Sequence, residues 1–493
     1  MNKIILIVIM TLFVSKISMA EDIINVEPFE AKAGALSEDA MCFQIEMVSS
    51  QDYWGVQFDL FLPEGMTLDT TGGLDPYDTE LNENRYPYTV DRRGNKTYKH
   101  SVQWSVIDSG AYRFVISPDD NESFITSGDG EILTLYYLTD SGFSDGLHPF
   151  VVENSVLAIS GNSGVRPVAS SSYCVVGESQ LKNDKYLDLS CLTGYLPSFV
   201  ISKINEDLVL NKNLAEIDLT GITSAFGLLS VVNPNVLTYY MAETEVAEMV
   251  SDQDNMIVFD GVSYNCNSLL LNENYSFACS KTISVLEAKM DRSFCGHWNT
   301  ICVPFSLKTS ELQNLLGEYT YLTQLVGYSD NTFIFKNVGE ESLPNIPYVF
   351  IIGNLSKIPE ICNFGDVTLV PIESVLEDRI DDIVFKGNYS GDYIDETMCK
   401  FNETGAFIDI NETNPIKSFE AAISIPDGVD VTELKMSNDL PVSVNSIEDE
   451  SECFVDVYSV SGVCVKRNVL KTEASIGIEK GIYFIGNEKV IVR

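Results

Sequence analysis

Positive charge is scarce in this 493-residue chain: 31 Lys and Arg stand against 72 Asp and Glu, a formal net charge of −41. Phosphate backbones are bound by clustered cations, so the balance argues against nucleic acid as a partner. Histidine is scarcer still. His100, His148 and His297 are the only three, and they lie far apart. HExxH, GxSxG, P-loop and GxGxxG patterns are all missing, so no zincin, nucleophile elbow or phosphate-binding loop is indicated. The 11 cysteines contain no CxxC pair, which removes the usual basis for a cysteine zinc site or a thioredoxin-like redox centre. An odd count leaves at least one thiol unpaired within the chain. Several cysteines sit in apolar strand patterns such as Thr300-Ile301-Cys302-Val303 and read as buried small hydrophobes. After the first residues, no apolar run is long enough to span a bilayer. No cofactor, no metal and no catalytic residue is expected.

The remaining composition is that of a folded protein. Hydrophobic residues make up 45% of the chain, with 25 Phe and 23 Tyr. The length points to several domains rather than one core. Residues 1–20 have the order of a secretory signal peptide. Lys3 supplies the charge, Ile4 to Val14 the apolar stretch, and Ser18-Met19-Ala20 the small residues before a cleavage point. Lys16 ends the apolar stretch too early for an anchor. Export is therefore expected, with no membrane span after signal removal.

Residues 21–178 read as strand after strand. Phe43, Ile45 and Met47 alternate with polar residues, and so do Val56, Phe58, Leu60 and Leu62 before the Pro63-Glu64-Gly65 turn. Val102, Trp104, Val106 and Tyr112, Phe114, Ile116 repeat the pattern. Period-two alternation with short turns predicts a β-sandwich. The Gly55-Val56-Gln57-Phe58-Asp59-Leu60 strand, the Leu62-Pro63-Glu64-Gly65-Met66 turn and the Gly128-Asp129-Gly130-Glu131-Ile132-Leu133 strand entry resemble the cohesin and carbohydrate-binding-module jelly-roll family. The resemblance implies a non-catalytic module that binds dockerins, polysaccharides or other surface proteins. Trp104 alternates with Val102 and Val106 and is assigned to the core. Among the other aromatic residues, Tyr53, Trp54, Tyr77, Tyr86 and Tyr88, the ligand-binding candidates are Tyr86, Tyr88 and Trp54, because flat rings in polar loops suit sugar faces. Asp119, Asp120, Asn121 and Glu122, with Asp129 and Glu131, are oxygen-rich, but the EF-hand order is absent and they read as solvated turn carboxylates.

Residues 179–230 contain Leu187-Asp188-Leu189 and Asn213-Leu214-Ala215-Glu216-Ile217-Asp218-Leu219-Thr220-Gly221. These look like two rungs of a short parallel solenoid, with Leu214, Ile217 and Leu219 buried as in a leucine-rich repeat. Two rungs are fewer than a free-standing solenoid needs, so a cap or remnant is expected. Residues 231–435 return to strands. The Trp298-Asn299-Thr300-Ile301-Cys302-Val303-Pro304-Phe305 segment is similar to an all-β module of large exported proteins of Bacteroidota. One helix is predicted there, with Ser310 and Gln313 as a capping box, Leu312, Leu315 and Leu316 on one face, and Gly317 as its stop.

Residues 436–493 begin with a linker at Asn438-Asp439-Leu440-Pro441. A hairpin follows, Phe454 to Val460 turning at Ser461-Gly462 into Val463 to Arg467. Lys480-Gly481-Ile482-Tyr483-Phe484-Ile485 and Val490-Ile491-Val492-Arg493 end the chain. This order resembles the type IX secretion C-terminal sorting domain. What it implies is passage across the outer membrane through the secretion machinery. Cys464 departs from the basic residue usual in that pattern.

The reading is an all-β, multidomain, non-enzymatic protein of the outer cell surface or the surrounding medium. It comprises a jelly-roll sandwich, a short solenoid remnant, a second sandwich-like module and a small sorting sandwich. Its expected ligands are a polysaccharide or a surface protein. The alternatives are a hydrolase with a carboxylate pair hidden in 231–435, and a structural adhesin subunit.

Overall fold

The structure is a computed structural model. It describes residues 22–492 apart from 71–80, 161–162, 178–179, 225–226, 229–233, 251–252, 295, 373–375, 403–404, 439–453, 460–463, 471–473, 479 and 486–487. The signal segment 1–20, Tyr77, most of the 438–441 linker and the Ser461-Gly462 turn therefore lie outside the described residues. The chain divides into two compact units. The first joins residues 1–292 with 363–374 and 389–392, and the second holds the remainder.

The first unit opens with the expected sandwich. A four-stranded sheet runs in the order Ile23–Val26, Cys42–Val48, Glu131–Thr139, Met66–Leu68. The facing sheet contains, side by side, Ser170–Val176, Gly146–Ser160, Gly55–Phe61, Tyr112–Pro118 and His100–Val106. Alternation decides which side chains meet between them. Ile24, Phe43, Ile45 and Met47 from one sheet pack on Val56, Phe58, Leu60, Phe114 and Ile116 from the other. The Phe58 and Phe114 rings stack with centroids 5.2 Å apart. Trp104 is half-buried against this core, as its spacing predicted.

The parallel stack is longer than the sequence reading showed. Tyr186–Asp188, Glu216–Asp218, Leu237–Met241 and Met256–Phe259 are four parallel neighbours, with Leu187, Ile217, Thr238 and Met256 in register. The stack thus continues beyond position 230. Each strand is so short that its apolar residues form no pattern alone, and only stacking reveals the face. The helix Ser198–Leu208 packs Val200, Ile201, Ile204 and Leu208 over it. On the opposite face the buried Glu216 carboxylate accepts from the Tyr239 hydroxyl, from the Ser280 backbone N–H at 2.9 Å and from the Ser280 hydroxyl at 2.7 Å. Three donors compensate the desolvation of that charge.

Sandwich and stack belong to one unit because one strand of the sandwich supplies side chains to both cores. Ser170–Val176 pairs antiparallel with Gly146–Ser160 on one side and parallel with Gly194–Tyr195 on the other. All seven of its residues are buried. Cys174 and Val176 enter the sandwich core, and Tyr173 and Val175 enter the core of the stack.

The second unit is another sandwich. One sheet has the order Trp298–Ile301, Tyr348–Ile351, Tyr321–Ser329, Thr332–Asn337, Lys435–Asn438. The other runs Glu377–Ile380, Ile383–Gly387, Ala421–Ser424, Met398–Phe401, Phe407–Asp409. Leu325, Phe333, Phe335, Val349 and Ile351 meet Phe385, Cys399, Phe407 and Ile423 between them. The predicted helix spans Thr309–Leu316 and ends at Gly317, whose φ is 109°. Its start differs from the expected capping box. Lys308 is the N-cap and makes no side-chain cap bond, while Ser310 lies inside the helix. Thr309 hydrogen-bonds instead to the Gly339 carbonyl at 2.6 Å, so a tertiary contact replaces the local one. His297 is also structural: its Nδ1 lies 2.7 Å from the Ile352 carbonyl. Near the C-terminus, Cys464–Leu470, Phe454–Ser459, Gly481–Ile485 and Glu488–Val492 form a four-stranded antiparallel sheet in that order.

Where the rungs cross, backbone meets backbone. A Cβ on Gly221 would lie 2.0 Å from the Ser190 carbonyl oxygen. Gly221→Ala is expected to destabilise the first unit by about 3 kcal/mol. The check is the denaturant midpoint, and an unchanged midpoint contradicts this packing.

Candidate functional site

The large sandwich sheet buries one face and leaves the other open. Residues of Gly55–Phe61 that alternate with the core set are Gln57, Asp59 and Phe61. Gln57 pairs in register with Val115 and Val156, Asp59 with Arg113 and Glu153, and Phe61 with Val151. Ser101, Gln103 and Ser105 extend the row across the edge strand, opposite Ser117, Val115 and Arg113. Val115, Val151, Val156 and Phe61 are half-buried. The result is a broad shallow surface with apolar side chains among small polar ones.

At its centre is a fixed ion pair. Arg113 donates through Nε and Nη2 to the two oxygens of Asp59 at 2.6 and 2.7 Å, and Asn154 donates to Asp59 at 3.0 Å. The guanidinium holds the Asp59 carboxyl below its ordinary value. Asp59 is buried while Arg113 is 39% exposed, so the arginine is held in place by two hydrogen bonds and still leaves part of its surface accessible.

The Phe61 end of this face runs into a groove of about 690 Å³ lined by Phe61, Leu62, Glu64, Phe143, His148 and Val151, among others. His148 stacks on Phe143 with centroids 4.1 Å apart, and its Nε2 lies 2.8 Å from the Ser144 carbonyl. A carbonyl only accepts, so Nε2 carries the proton. Gly65, with φ at 85°, turns the chain at the groove's end.

The three residues selected from sequence have different fates. Tyr86 is no contact residue. It is 2% exposed, belongs to the sandwich core and meets the His100 ring edge-on at 5.2 Å. The cause is Arg85. Its buried guanidinium donates to the carbonyls of Thr126, Met47 and Gly130 and to the Ser49 hydroxyl, at 2.8 to 3.1 Å. That clamp draws the loop inward and Tyr86 with it. Tyr88 is exposed, with Lys96 5.0 Å over its ring and Tyr98 against its edge. Trp54 is half-buried, its backbone N–H bonded to the Ala158 carbonyl at 2.7 Å. Tyr53 is fully buried. The structure therefore does not bring Tyr86, Tyr88 and Trp54 together as one platform. The face around Val115 and Arg113 escaped the sequence reading because it depends on strand register. Its only sequence signal was the alternation itself, read for the core side alone.

The acidic residues are divided too. Asp120 caps its own turn, accepting from the Glu122 and Ser123 N–H groups at 3.0 and 2.8 Å. Among the described residues no cluster of three His, Cys, Asp or Glu is placed to hold a metal ion. On the smaller sheet Glu46 stands in register with Glu131. Burial first, then the charges of Glu27 and Glu131, push the Glu46 carboxyl up to about 7.

No family model and no curated protein matches the chain. Solved structures similar to it include a cohesin, CaCohA2, from Clostridium acetobutylicum, at 13% identity, TM-score 0.24, covering 32% of this chain and 92% of that one. A non-cellulosomal cohesin from Archaeoglobus fulgidus aligns at 10% identity, TM-score 0.22, over 32% of this chain and 93% of its own. The cohesin module of a Clostridium perfringens family 33 glycoside hydrolase aligns at 12% identity, TM-score 0.21, over 32% and 99%.

Glu46 gives a prediction with a defined sign. A carboxyl raised in the folded state favours folding while protonated. Its contribution is complete below its ordinary value of 4.5 and is lost as pH rises through about 7. Glu46→Gln should match the parent at pH 4 and exceed its stability at pH 8 by about 1 kcal/mol, after discounting for solvent screening. Denaturant midpoints at the two pH values check this, and an equal or lower midpoint at pH 8 contradicts it.

Proposed function

We propose that this is an exported, non-catalytic binding protein whose sandwich docks a protein partner on the open face around Val115 and Arg113 and in the adjoining groove. One observation carries the reading: a flat face of half-buried apolar side chains surrounds an arginine already locked in place by Asp59. Protein interfaces combine such an apolar centre with an oriented arginine, and an arginine held before binding loses little side-chain entropy on contact. A shallow sheet face suits another protein better than a small molecule, which needs concavity.

The placement of the protein follows from the sequence. The order in residues 1–20 supports export, and the terminal hairpin and strands support a sorting role for the tail through the secretion machinery. The destination is the outer cell surface or the surrounding medium. The strong negative charge keeps such a chain soluble and repels it from anionic surfaces.

A polysaccharide ligand of the sandwich is the second reading. It is favoured by Tyr88, exposed beside Phe124 at a cleft of about 500 Å³ that Glu83, Glu122 and Ser123 also line. Tyr86 contributes to the shape of that cleft but not a stacking face.

Two experiments test the proposal. A photo-crosslinking phenylalanine derivative replacing Val115 should give one discrete protein adduct in the cells that make the protein, while the same group at the exposed Leu286 should not. Adding Arg113→Ala should lower the adduct yield tenfold or more. No adduct at position 115, together with glycan binding abolished by Tyr88→Ala, would transfer the function to the cleft. For the tail, deletion should start at residue 454, because Lys435–Asn438 pairs with Thr332–Asn337 in the second sandwich. The truncated protein should accumulate in the periplasm, and undiminished surface display contradicts the sorting role.

A further inference from the structure

A second concave surface lies away from the sandwich face, at the side of the parallel stack. Its volume is about 600 Å³. One wall is the segment that leaves the Ser198–Leu208 helix, and the other consists of Asn274, Tyr275, Ser276, Ser390, Gly391 and Asp392. An isolated antiparallel bridge between Ser276 and Ser390 holds the second wall together. The first wall is held by Asn211, which is buried and fully engaged. Its side-chain amide donates to the Leu181 and Asp184 carbonyls at 3.1 and 2.9 Å, and its oxygen accepts from the Asn213 N–H at 2.9 Å. Both walls are therefore preformed.

The lining chemistry is specific. Tyr275 is 42% exposed, an aromatic surface at the rim. Leu214 and Val236 supply an apolar floor. The Asn213 side-chain amide, the Ser276 hydroxyl and the Asp392 carboxylate make no hydrogen bond among the described residues, so their capacity is open to a ligand. They offer an amide donor and acceptor, a hydroxyl and a carboxylate acceptor. Lys212 is the one cation in the lining and Asp392 the one anion, so the groove has no net charge in a chain that is otherwise strongly acidic.

We propose that this groove binds a neutral oligosaccharide. A pyranose ring presents an apolar C–H face, which matches an exposed tyrosine, and a rim of hydroxyls, which matches unengaged amide, hydroxyl and carboxylate groups. The volume falls in the range of small-molecule sites, about 300–1,000 Å³, enough for a short run of sugar residues. A phosphorylated or sulfated ligand is disfavoured because the lining offers a single lysine, already donating to the Val209 carbonyl at 3.4 Å, together with a carboxylate. A lipid is disfavoured because its chain would desolvate unpaired polar groups. The site is independent of the sandwich face proposed above to dock protein.

The full-length protein should be applied to an array of neutral oligosaccharides that includes cellotetraose, xylotetraose, mannotetraose and laminaritetraose, and the strongest hit titrated by calorimetry. Binding is expected to one linkage class, with little change between 0.1 and 0.5 M NaCl. Tyr275→Ala and Asn213→Ala should each weaken it tenfold or more, and Tyr275→Phe should retain it. Leu286→Ala, at an exposed residue outside both this groove and the protein-docking face, should leave it intact. No retained oligosaccharide, affinity unaltered by Tyr275→Ala, or affinity that collapses with salt would each overturn the assignment.

Discussion

The first unit depends on one strand that serves two cores. In Ser170–Val176 successive side chains point to opposite faces, as in any strand, but here neither face meets water. Cys174 and Val176 complete the sandwich, and Tyr173 and Val175 complete the stack. Two of its three serines, Ser170 and Ser171, are hydrogen-bonded. Asn25 donates to the Ser170 hydroxyl at 2.8 Å, and the Ser171 hydroxyl donates to the Thr193 carbonyl at 2.5 Å while accepting from the Thr193 N–H at 3.0 Å. A short parallel stack has too little core to stand alone. Packed through Tyr173 and Val175 against a strand of the completed sandwich, it gains a rigid wall on which its rungs rest.

That constraint explains where binding chemistry can reside. The sandwich uses one side of its large sheet for the core and one edge for the stack, which leaves the other side open, with Arg113 clamped by Asp59. The stack spends one face on its helices and the other on the buried Glu216 network, so its accessible chemistry is pushed to the flank where Tyr275 and Asn213 stand. Both surfaces are shaped by backbone elements fixed elsewhere, so each is formed before a ligand arrives. Preorganisation lowers the entropy lost on binding.

The sequence carried the local features and missed the non-local ones. Alternation at Phe43 to Met47 and Val56 to Leu62 marked true strands because a half-buried strand must alternate. Strands three residues long, such as Glu216–Asp218, carry no period, so four rungs read as two. Tyr86 is buried although the loop around it, from Asn82 to Arg85, is polar. Nothing local shows that Arg85 reaches four backbone and side-chain acceptors from the distant segments 47–49 and 126–130 and takes Tyr86 into the core. The face around Val115 needs the register of four strands, and the groove at Tyr275 needs segments more than a hundred residues apart. Helix and stop at Thr309–Leu316 and Gly317 were legible, whereas the cap was not, because Thr309 takes a tertiary partner.

The central claim is that sandwich and stack are one cooperative body joined through Ser170–Val176. Native-state hydrogen exchange tests it most directly, by comparing amides in Gly55–Phe61 with those in Leu237–Met241 in the parent and in Val175→Ala. The account predicts that both sets open with a common free energy and weaken together in the variant. Two distinct opening energies, with only the stack responding to Val175→Ala, would contradict it.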